Sequence, residues 1–491
     1  MSLDLDQVSY RLGRSRIPRG VALRVRHDRT LGAFGAQGAG KTLDLLAPAL
    51  LSHPGAALVT LTKLDDLLLT VTRRRAVGPV AVLDPFGHAP GVPELVWDPV
   101  AGCVDPLVAE RRAKAFAAGT VTGAVAGGRA DNAARFYAAE SAKVLQGFFH
   151  AAALTGRTLE DVLAWVAHPV AAEEPAEILR QHPHAARFWD GLLIGALTGS
   201  PDTVGNTITT VQQAMALFFQ PAIRRRCVPG PGRPATDIAE LITRHGTVYL
   251  LGREDPYASA SPLMTAVTEY VLDTALALAT ASEFGRLCPS LLACLDELPS
   301  TAPLPTLRVR MANERALGIT FLYAAQTWRQ LVVCYGEDEA RSLLGLTNNL
   351  VIWGGGKDIA FYKEMSDLIG VTRVTRQTIS DGPGGIGVNR AGEDTPILRP
   401  EQLRLIPERH ALVIAENAPP ILARMRRCLD GRAGAALLTQ LHTARTGVAA
   451  ALTEVPDLAA RTREAVAHAR ALHLTDLTHS TRTARRPDGA A

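Results

Sequence analysis

The chain has 491 residues, of which 47% are hydrophobic, 5% aromatic and 20% charged. That length allows two or more domains, and the composition is ordinary for a soluble globular protein with a large core. The formal net charge of +4 is too small to indicate nucleic-acid binding from bulk charge, and it leaves open only a local basic surface.

The first predicted unit of the chain is a strand, a glycine-rich loop and a helix. The strand is the apolar run 30–34, and leucines at helical spacing begin at Leu43. The loop between them is Gly35-Ala36-Gln37-Gly38-Ala39-Gly40-Lys41-Thr42, which fits the phosphate-binding P-loop pattern. Its glycines let backbone N–H groups turn toward phosphates, Lys41 can reach the β and γ phosphates, and the Thr42 hydroxyl can ligate Mg²⁺. The sequence therefore predicts a nucleoside triphosphate with Mg²⁺, and the alternative is a glycine-rich turn before an ordinary helix.

Short apolar runs separated by helical segments follow this unit and predict a parallel sheet. From about 105 to 236 the pattern changes to long alanine-rich amphipathic runs, which indicate a helical insertion. Strand patterns return after it. The predicted strands beyond the first are 56–61, 80–83, 246–251, 291–295, 319–323, 349–353 and 411–414. The apolar run 263–281 contains Glu269 and Asp273, so we predict a core helix there and not a membrane span.

We divide the chain into five predicted regions. They are an N-terminal arm, 1–30; the first part of a nucleotide-binding domain, 31–104; an all-helical domain, 105–236; the second part of the nucleotide-binding domain, 237–430; and a weakly helical or disordered C-terminal tail, 431–491. The six cysteines include no C-x-x-C pair, and the histidines show no H-x-x-x-H or H-E-x-x-H pattern. The sequence therefore predicts no cysteine or histidine metal site and is consistent with a reducing cytosol.

Two acidic residues end the apolar run 291–295. In a P-loop ATPase, Asp296 would hold Mg²⁺ through water, and Glu297 would orient or deprotonate the attacking water. The alternative for such a pair is capping of the next helix.

Two further candidates follow the acidic pair. Gln326 ends the next apolar run, where a glutamine beside the γ-phosphate can sense hydrolysis, and Arg315 is a candidate finger that stabilises transition-state charge across a subunit boundary. The alternatives are a capping glutamine and an ordinary surface arginine.

In combination, these segments resemble the conjugative coupling proteins of type IV secretion systems, the TraG/TraD class. Those proteins are hexameric DNA-pumping ATPases related to FtsK and HerA. The resemblance is carried, in family order, by 35–42, 63–85, 97–99, 295–298, 315–319, 325–336, 403–407 and 419–420. It implies an α/β fold, namely a RecA-like P-loop NTPase domain with a central, mostly parallel sheet that is interrupted by an all-α domain.

The resemblance also implies roles and partners. Lys41 would bind phosphate and Thr42 would bind Mg²⁺. Asp296 would hold Mg²⁺ through water, and Glu297 would act on the attacking water. Gln326 would sense hydrolysis, and Arg315 would be the arginine finger. The cofactors would be ATP and Mg²⁺, and the partners would be other copies in a hexamer, DNA, a relaxase and secretion-channel components. The helical domain would face the substrate and accessory factors.

The sequence departs from the family at two places. Membrane-anchored members begin with transmembrane helices, whereas here a short arm that includes Arg11, Arg14, Arg16 and Arg19 precedes the first strand. In the segment after the second strand, the family usually has an acidic residue, proline, lysine and glycine. Lys63 matches the lysine of that run, whereas the residues around it differ from the family pattern. We therefore expect a cytoplasmic protein that reaches the inner face of the cell membrane only through a partner protein.

Three functions are compatible with these patterns. The first is an ATP-hydrolysing coupling protein that moves DNA or a DNA–protein complex toward a secretion channel. The second is a soluble FtsK- or HerA-like DNA translocase in plasmid or chromosome handling or defence. The third is a nucleotide-binding adaptor that recruits partners through its helical domain, and Glu297 argues against it because a pure binder needs no water-positioning acid.

Two basic stretches have open interpretations. The stretch 372–393 is either a mobile loop that touches DNA phosphates in the central channel of a ring, or a hairpin or disordered surface loop. The arginines at 224–226 either meet nucleic acid or lie at a solvated helix C-terminus.

Overall fold

A computed structural model describes residues 4–121, 130–169, 173–252, 259–382, 385–453 and 467. The strands are β1 (Ser9–Ile17), β2 (Ala22–Arg26), β3 (Leu31–Phe34), β4 (Ala57–Leu61), β5 (Val80–Leu83), β6 (Thr247–Leu251), β7 (Leu291–Leu295), β8 (Ile319–Ala325), β9 (Asn349–Trp353), β10 (Val371–Gly382), β11 (Gly385–Pro396), β12 (His410–Ala415) and β13 (Ile421–Met425).

The helices of the nucleotide-binding regions are α1 (Leu5–Val8), α2 (Ala47–Ser52), α3 (Leu64–Arg75), α12 (Ser261–Ala281), α13 (Leu298–Thr301), α14 (Leu307–Asn313), α15 (Trp328–Tyr335), α16 (Glu337–Gly345), α17 (Ile359–Ile369), α18 (Pro400–Arg404) and α19 (Gly431–Thr453). Between β5 and β6 lie α4 (Pro106–Ala118), α5 (Ala130–Leu154), α6 (Leu159–Ala167), α7 (Glu173–Gln181), α8 (Trp189–Leu197), α9 (Pro201–Met215), α10 (Pro221–Cys227) and α11 (Ile238–Thr243). The described part of the predicted helical insertion therefore consists of helices and loops, with one isolated β-bridge between Gly230 and Arg233.

An eleven-stranded sheet has the order β2-β1-β13-β12-β9-β3-β8-β7-β4-β6-β5. The seven strands from β9 to β5 pair in parallel, and the four at the other end pair antiparallel. The predicted α/β fold with a mostly parallel sheet is confirmed. Every predicted strand is present, with its ends shifted by no more than two residues.

The parallel strands are buried on both faces. In β4, Leu58 packs into the larger apolar cluster, together with residues of α4, α5 and α12, whereas Ala57 and Val59 pack into a smaller cluster with α2 and α3. Helices on both faces explain why these strands are continuous apolar runs and not alternating ones.

The predicted N-terminal arm forms β1 and β2 and is not a free arm. β1 pairs with β13 and so extends the sheet by two strands. Tyr10 and Leu12 are buried, whereas Arg11, Arg14 and Arg16 are exposed. The arginines thus occupy the solvent-facing positions of an edge hairpin, where charge also discourages pairing with other chains.

The helix α12 is, among the described residues, the one long and apolar enough to cross a membrane by length and composition. Of its most apolar window, 61% is buried inside the protein. Glu269 on this helix pairs with Arg310 of α14 at 2.6 Å, with both side chains at most 7% exposed. A buried ion pair to a neighbouring helix supports the prediction of a core helix.

The structure shows the secondary structure of both basic stretches. The described residues of 372–393, namely 372–382 and 385–393, lie in a two-stranded antiparallel hairpin, β10–β11, that is separate from the large sheet. The predicted hairpin is therefore observed, and contact of this stretch with DNA stays a prediction. The arginines at 224–226 end α10, where Arg224 and Arg226 donate to the carbonyls of Phe218 and Pro85.

The predicted C-terminal tail begins with the 23-residue helix α19, which packs on α3. This part of the tail is a regular helix, whereas the remainder of 431–491, apart from residue 467, lies outside the described residues.

Arg74, in the last turn of α3, is fully buried and joins three segments at the amino edge of the sheet. Its guanidinium donates to the carbonyls of His53 and Gly55 at 2.6 Å each and to Thr247 Oγ1 at 2.7 Å. Burial lowers the pKa of Arg74 to about 10, so the group stays charged near neutral pH.

We expect Arg74→Met to lower the free energy of unfolding by about 3 kcal/mol, because it leaves several buried carbonyls without a donor. Arg75→Met is the matched control, since Arg75 is exposed on the same helical turn. Urea denaturation of the two variants measures the difference. Equal midpoints for both would show that Arg74 does not stabilise these segments.

Candidate nucleotide-binding site

The predicted site residues follow adjacent parallel strands. Phe34 of β3 pairs with Ala325 of β8, and Leu295 of β7 pairs with Tyr323 of β8. The P-loop, Asp296 and Gln326 come directly after these strands. They therefore meet at the carboxyl edge of the sheet, which is where ligands bind in open α/β folds.

The P-loop connects β3 to a π-helical turn, Thr42–Leu46, which continues into α2. Gly38 and Gly40 have φ of +79° and +101°, a region that glycine enters without strain. A Cβ on Gly40 would also lie 2.5 Å from Asp44 Oδ2. Gly40 is thus required both by its backbone conformation and by the close approach of Asp44.

The side chain of Lys41, near the end of the P-loop, folds back over the start of the loop. Its ammonium donates to the carbonyls of Gly35 and Ala36, the latter at 3.2 Å, and the side chain is largely buried. Burial lowers the pKa of Lys41, whereas the negative charges of Asp296 and Glu297 act in the opposite direction. An ammonium held at the loop mouth by neutral carbonyls can exchange them for phosphate oxygens, which form stronger, charge-assisted hydrogen bonds.

Asp296 is 5% exposed, and its Oδ2 accepts a hydrogen bond from Thr42 Oγ1 at 3.2 Å. Its backbone carbonyl is held by the hydroxyls of Thr60 and Thr301, at 3.2 and 2.9 Å. Burial, followed by the negative charges of Glu297 and Asp66, raises the pKa of Asp296 to about 6. A buried carboxylate that is hydrogen-bonded to the P-loop threonine has the chemistry and position to hold a divalent cation.

Glu297 has a left-handed backbone, with φ of +49°. A non-glycine residue in this region costs about 1–3 kcal/mol, and such strain concentrates at functional sites. Its Oε1 accepts a hydrogen bond from Gln326 Nε2 at 2.8 Å. Gln330 in turn accepts from the backbone N–H of Gln326 at 3.0 Å and belongs to the capping box of α15. The acid is therefore connected to the start of α15.

The structure does not bring Arg315 to this site. It lies in the 3₁₀ turn Glu314–Leu317, before β8, whereas Gln326 follows the end of that strand. At about 3.3 Å per residue, the seven residues of β8 separate the two by roughly 20 Å or more. A finger supplied by a neighbouring subunit stays a prediction.

Sequence reasoning missed Asp66 as a site residue. This half-buried side chain lies in the first turn of α3, which follows β4 at the same edge of the sheet. Burial raises the pKa of Asp66 to about 6; Lys63 opposes the shift, and Asp65 and Glu297 add to it. The available signal was an acidic residue in the first helical turn after a predicted parallel strand, because such turns lie at the same edge of the sheet as the acidic pair after β7.

The residues at this edge fit a nucleoside triphosphate with Mg²⁺. The loop offers an ammonium and glycine turns, and Thr42 and Asp296 offer two oxygen ligands within hydrogen-bonding distance of each other. Among the described residues, no group of three or more His, Cys, Asp or Glu side chains could hold a metal ion alone. Phosphate and water oxygens would therefore complete the coordination, as is usual for Mg²⁺.

Comparison with known families identifies the class of this region. Residues 290–408 match the family model described as the TraM recognition site of TraD and TraG. That segment contains Asp296, Glu297 and Gln326. The resemblance to the TraG/TraD class is therefore confirmed by the family model for this part of the chain. No curated protein matches the sequence.

Solved structures of one bacterial conjugative coupling protein, TrwB, have the same fold. An unbound form of TrwBdeltaN70 has a TM-score of 0.61 at 19% identity and covers 82% of this chain and 85% of that chain. A sulphate complex of TrwBdeltaN70 has a TM-score of 0.60 at 19% identity and covers 85% and 94%. TrwB in complex with ADP and Mg²⁺ has a TM-score of 0.58 at 19% identity and covers 82% and 86%. At this identity the likeness establishes the fold, and the predicted RecA-like α/β fold is confirmed.

Proposed function

We propose that the chain is an ATP-hydrolysing coupling protein that moves DNA, or a DNA–protein complex, toward a type IV secretion channel. The observation that carries the proposal is one edge of the sheet, where Lys41 lies at the mouth of the P-loop, Thr42 contacts Asp296, and Gln326 contacts Glu297. Nucleotide binding alone needs only Lys41 and the Thr42–Asp296 contact. Hydrolysis also requires an acid that positions the attacking water, and Glu297 beside Gln326 can supply it.

Each residue has a distinct task in this proposal. The backbone N–H groups of the P-loop and Lys41 bind the phosphates, and Thr42 and Asp296 hold Mg²⁺, the latter through water. Mg²⁺, when bound, neutralises the charge that develops on the phosphates. Glu297 orients the attacking water and accepts its proton, since phosphoryl transfer depends mainly on positioning and electrostatics. Gln326 connects Glu297 to α15, so a change at the acid is transmitted to that helix.

The proposed assembly is a hexamer, and Arg315 would reach the site of the next subunit. The proposed partners are DNA, a relaxase, and channel or accessory components of the TraM kind, since residues 290–408 match a segment described as a TraM recognition site. We place the protein in the cytoplasm, at the inner face of the cell membrane, where a partner protein recruits it. The TrwB complex with ADP and Mg²⁺ supports ATP and Mg²⁺ as the cofactors.

DNA is expected to stimulate ATP hydrolysis several-fold at low salt, and the stimulation is expected to fall steeply between 50 and 200 mM salt. The reason is that lysine and arginine contacts to DNA phosphates release counterions, so the affinity for DNA falls as the salt concentration rises. Steady-state hydrolysis rates measured with single- and double-stranded DNA, across a salt series, test this.

The same assay separates the proposal from its alternatives. A hexamer that hydrolyses ATP without any response to DNA at low salt would contradict a DNA motor. Binding of ATP without hydrolysis, with or without DNA, would indicate a nucleotide-binding adaptor. A DNA-stimulated ATPase that does not bind relaxase or channel components would indicate an FtsK- or HerA-like translocase.

A further inference from the structure

Asp44 is a buried acid that the proposed hydrolysis does not use. It lies in the π-helical turn Thr42–Leu46, which follows Lys41, and it is 1% exposed. Arg427 donates to both of its oxygens, from Nε to Oδ1 at 2.7 Å and from Nη2 to Oδ2 at 3.3 Å. This bidentate pair raises the pKa of Arg427. Asp44 therefore has one dedicated cationic partner, located 383 residues later in the chain.

The Asp44 carboxylate lies directly against the P-loop. A Cβ on Gly40 would be 2.5 Å from Asp44 Oδ2 and 3.3 Å from Arg427 Nη2. The backbone N–H of Asp44 also donates to the carbonyl of Gly40 at 2.8 Å. An uncompensated carboxylate packed against the P-loop would disfavour a bound nucleotide, because its negative charge would repel those of the phosphates in a partly buried site.

Arg427 is held in place by the backbone around it. The N–H of Cys428 donates to the carbonyl of Leu43 at 2.9 Å, which fixes the chain after β13 against the turn that follows the P-loop. We call Arg426–Thr453, from the end of β13 to the end of α19, the C-terminal segment. Its helix packs on α3, where Arg445 pairs with Asp65 at the start of that helix. The C-terminal segment thus contacts two of the elements that border the site.

We infer that Arg427 is a positioning residue for nucleotide binding: it neutralises Asp44 and holds the turn after the P-loop, so the C-terminal segment sets the affinity of the site. The inference rests on the proposed binding of nucleotide at the P-loop. It assigns to the region after β13 a role in a site whose other named residues all lie at or before Gln330.

The test separates the charge of Asp44 from the packing of Arg427. Binding of a fluorescent ATP analogue with Mg²⁺ is measured for the full chain and for Arg427→Ala, Arg427→Ala with Asp44→Asn, and Asp44→Asn alone. Arg409→Ala is the matched control, because Arg409 pairs with Asp430 in the same region, and this ion pair is separate from that of Arg427 with Asp44. Thermal melting of each variant shows whether it is folded.

We expect Arg427→Ala to raise the dissociation constant about tenfold, because a partly buried negative charge is left beside the phosphates. The double variant is expected to restore most of this loss, and Arg409→Ala to bind as the unsubstituted chain does. Asp44→Asn alone is expected to bind about threefold more tightly, because Arg427 then loses its buried acid and keeps the more distant, exposed Glu408 at 3.9 Å.

Three results would overturn the inference. One is unchanged affinity in Arg427→Ala, and another is a double variant as weak as Arg427→Ala, which would assign the loss to packing. The third is weaker binding by Asp44→Asn, which decides the matter even if Arg427→Ala does not fold. An unsubstituted chain that binds no nucleotide would instead contradict the proposed function itself.

Discussion

Lys41→Ala is expected to lower ATP turnover by at least about a thousandfold and to weaken nucleotide binding strongly. Removal of one preorganised donor at a reacting oxyanion costs about 10²–10³ in rate, and Lys41 serves ground-state phosphate binding as well. The ammonium already lies at the loop, bonded to the carbonyls of Gly35 and Ala36. Its loss leaves the loop without that charge when the phosphates arrive.

Phosphate release at saturating ATP, together with nucleotide binding at equilibrium, measures the two effects of Lys41→Ala. Lys114→Ala is the control, because Lys114 is exposed on α4 and pairs with Glu110. The melting temperature of Lys41→Ala is expected to stay close to that of the unsubstituted chain, since burial disfavours the charged ammonium in the nucleotide-free protein. Turnover within a few-fold of normal would place hydrolysis at some other site.

Glu297→Gln is expected to lower ATP turnover by about 10²–10⁴-fold and to leave nucleotide affinity within a few-fold of normal. Glutamine has the same shape, and its carbonyl can still accept the hydrogen bond that Gln326 now donates at 2.8 Å. It cannot take a proton from water at neutral pH. The variant should therefore bind nucleotide and stall before hydrolysis.

Single-turnover hydrolysis and equilibrium binding distinguish these two consequences of Glu297→Gln. A suitable control is Glu337→Gln, at an exposed acid on α16 that pairs with Arg341. Near-normal turnover in Glu297→Gln would remove the water-activating role from this acid. Loss of binding together with turnover would instead show that Glu297 supports the nucleotide pocket.

The parallel strands could be predicted because burial on both faces leaves an uninterrupted apolar run in the sequence. The strands β1, β2 and β13 could not. Three arginines, Arg11, Arg14 and Arg16, break the apolar pattern of β1. Its partner strand is β13, in which Arg424 pairs with Arg14, and β13 lies about 400 residues later in the chain. Edge strands of this kind are specified by distant backbone partners more than by their own residues.

For the candidate site, local patterns placed the P-loop, the acidic pair and Gln326 after predicted strands, and parallel pairing brings those positions together. The pairing of Asp44 with Arg427 has no local pattern, because its partners are 383 residues apart. For Arg315 the reverse holds. Its motif could be recognised in the sequence, but the motif did not indicate at which edge of the sheet Arg315 lies.

The interleaved order of the strands also determines when the site can form during synthesis. Leu31 of β3, the strand that leads into the P-loop, pairs with Leu322 of β8 and Asn349 of β9. Ribosomes add roughly 5–20 residues per second, so the P-loop waits on the order of tens of seconds for its neighbours in the sheet. A nascent chain released before β9 would carry a complete P-loop sequence and no nucleotide site.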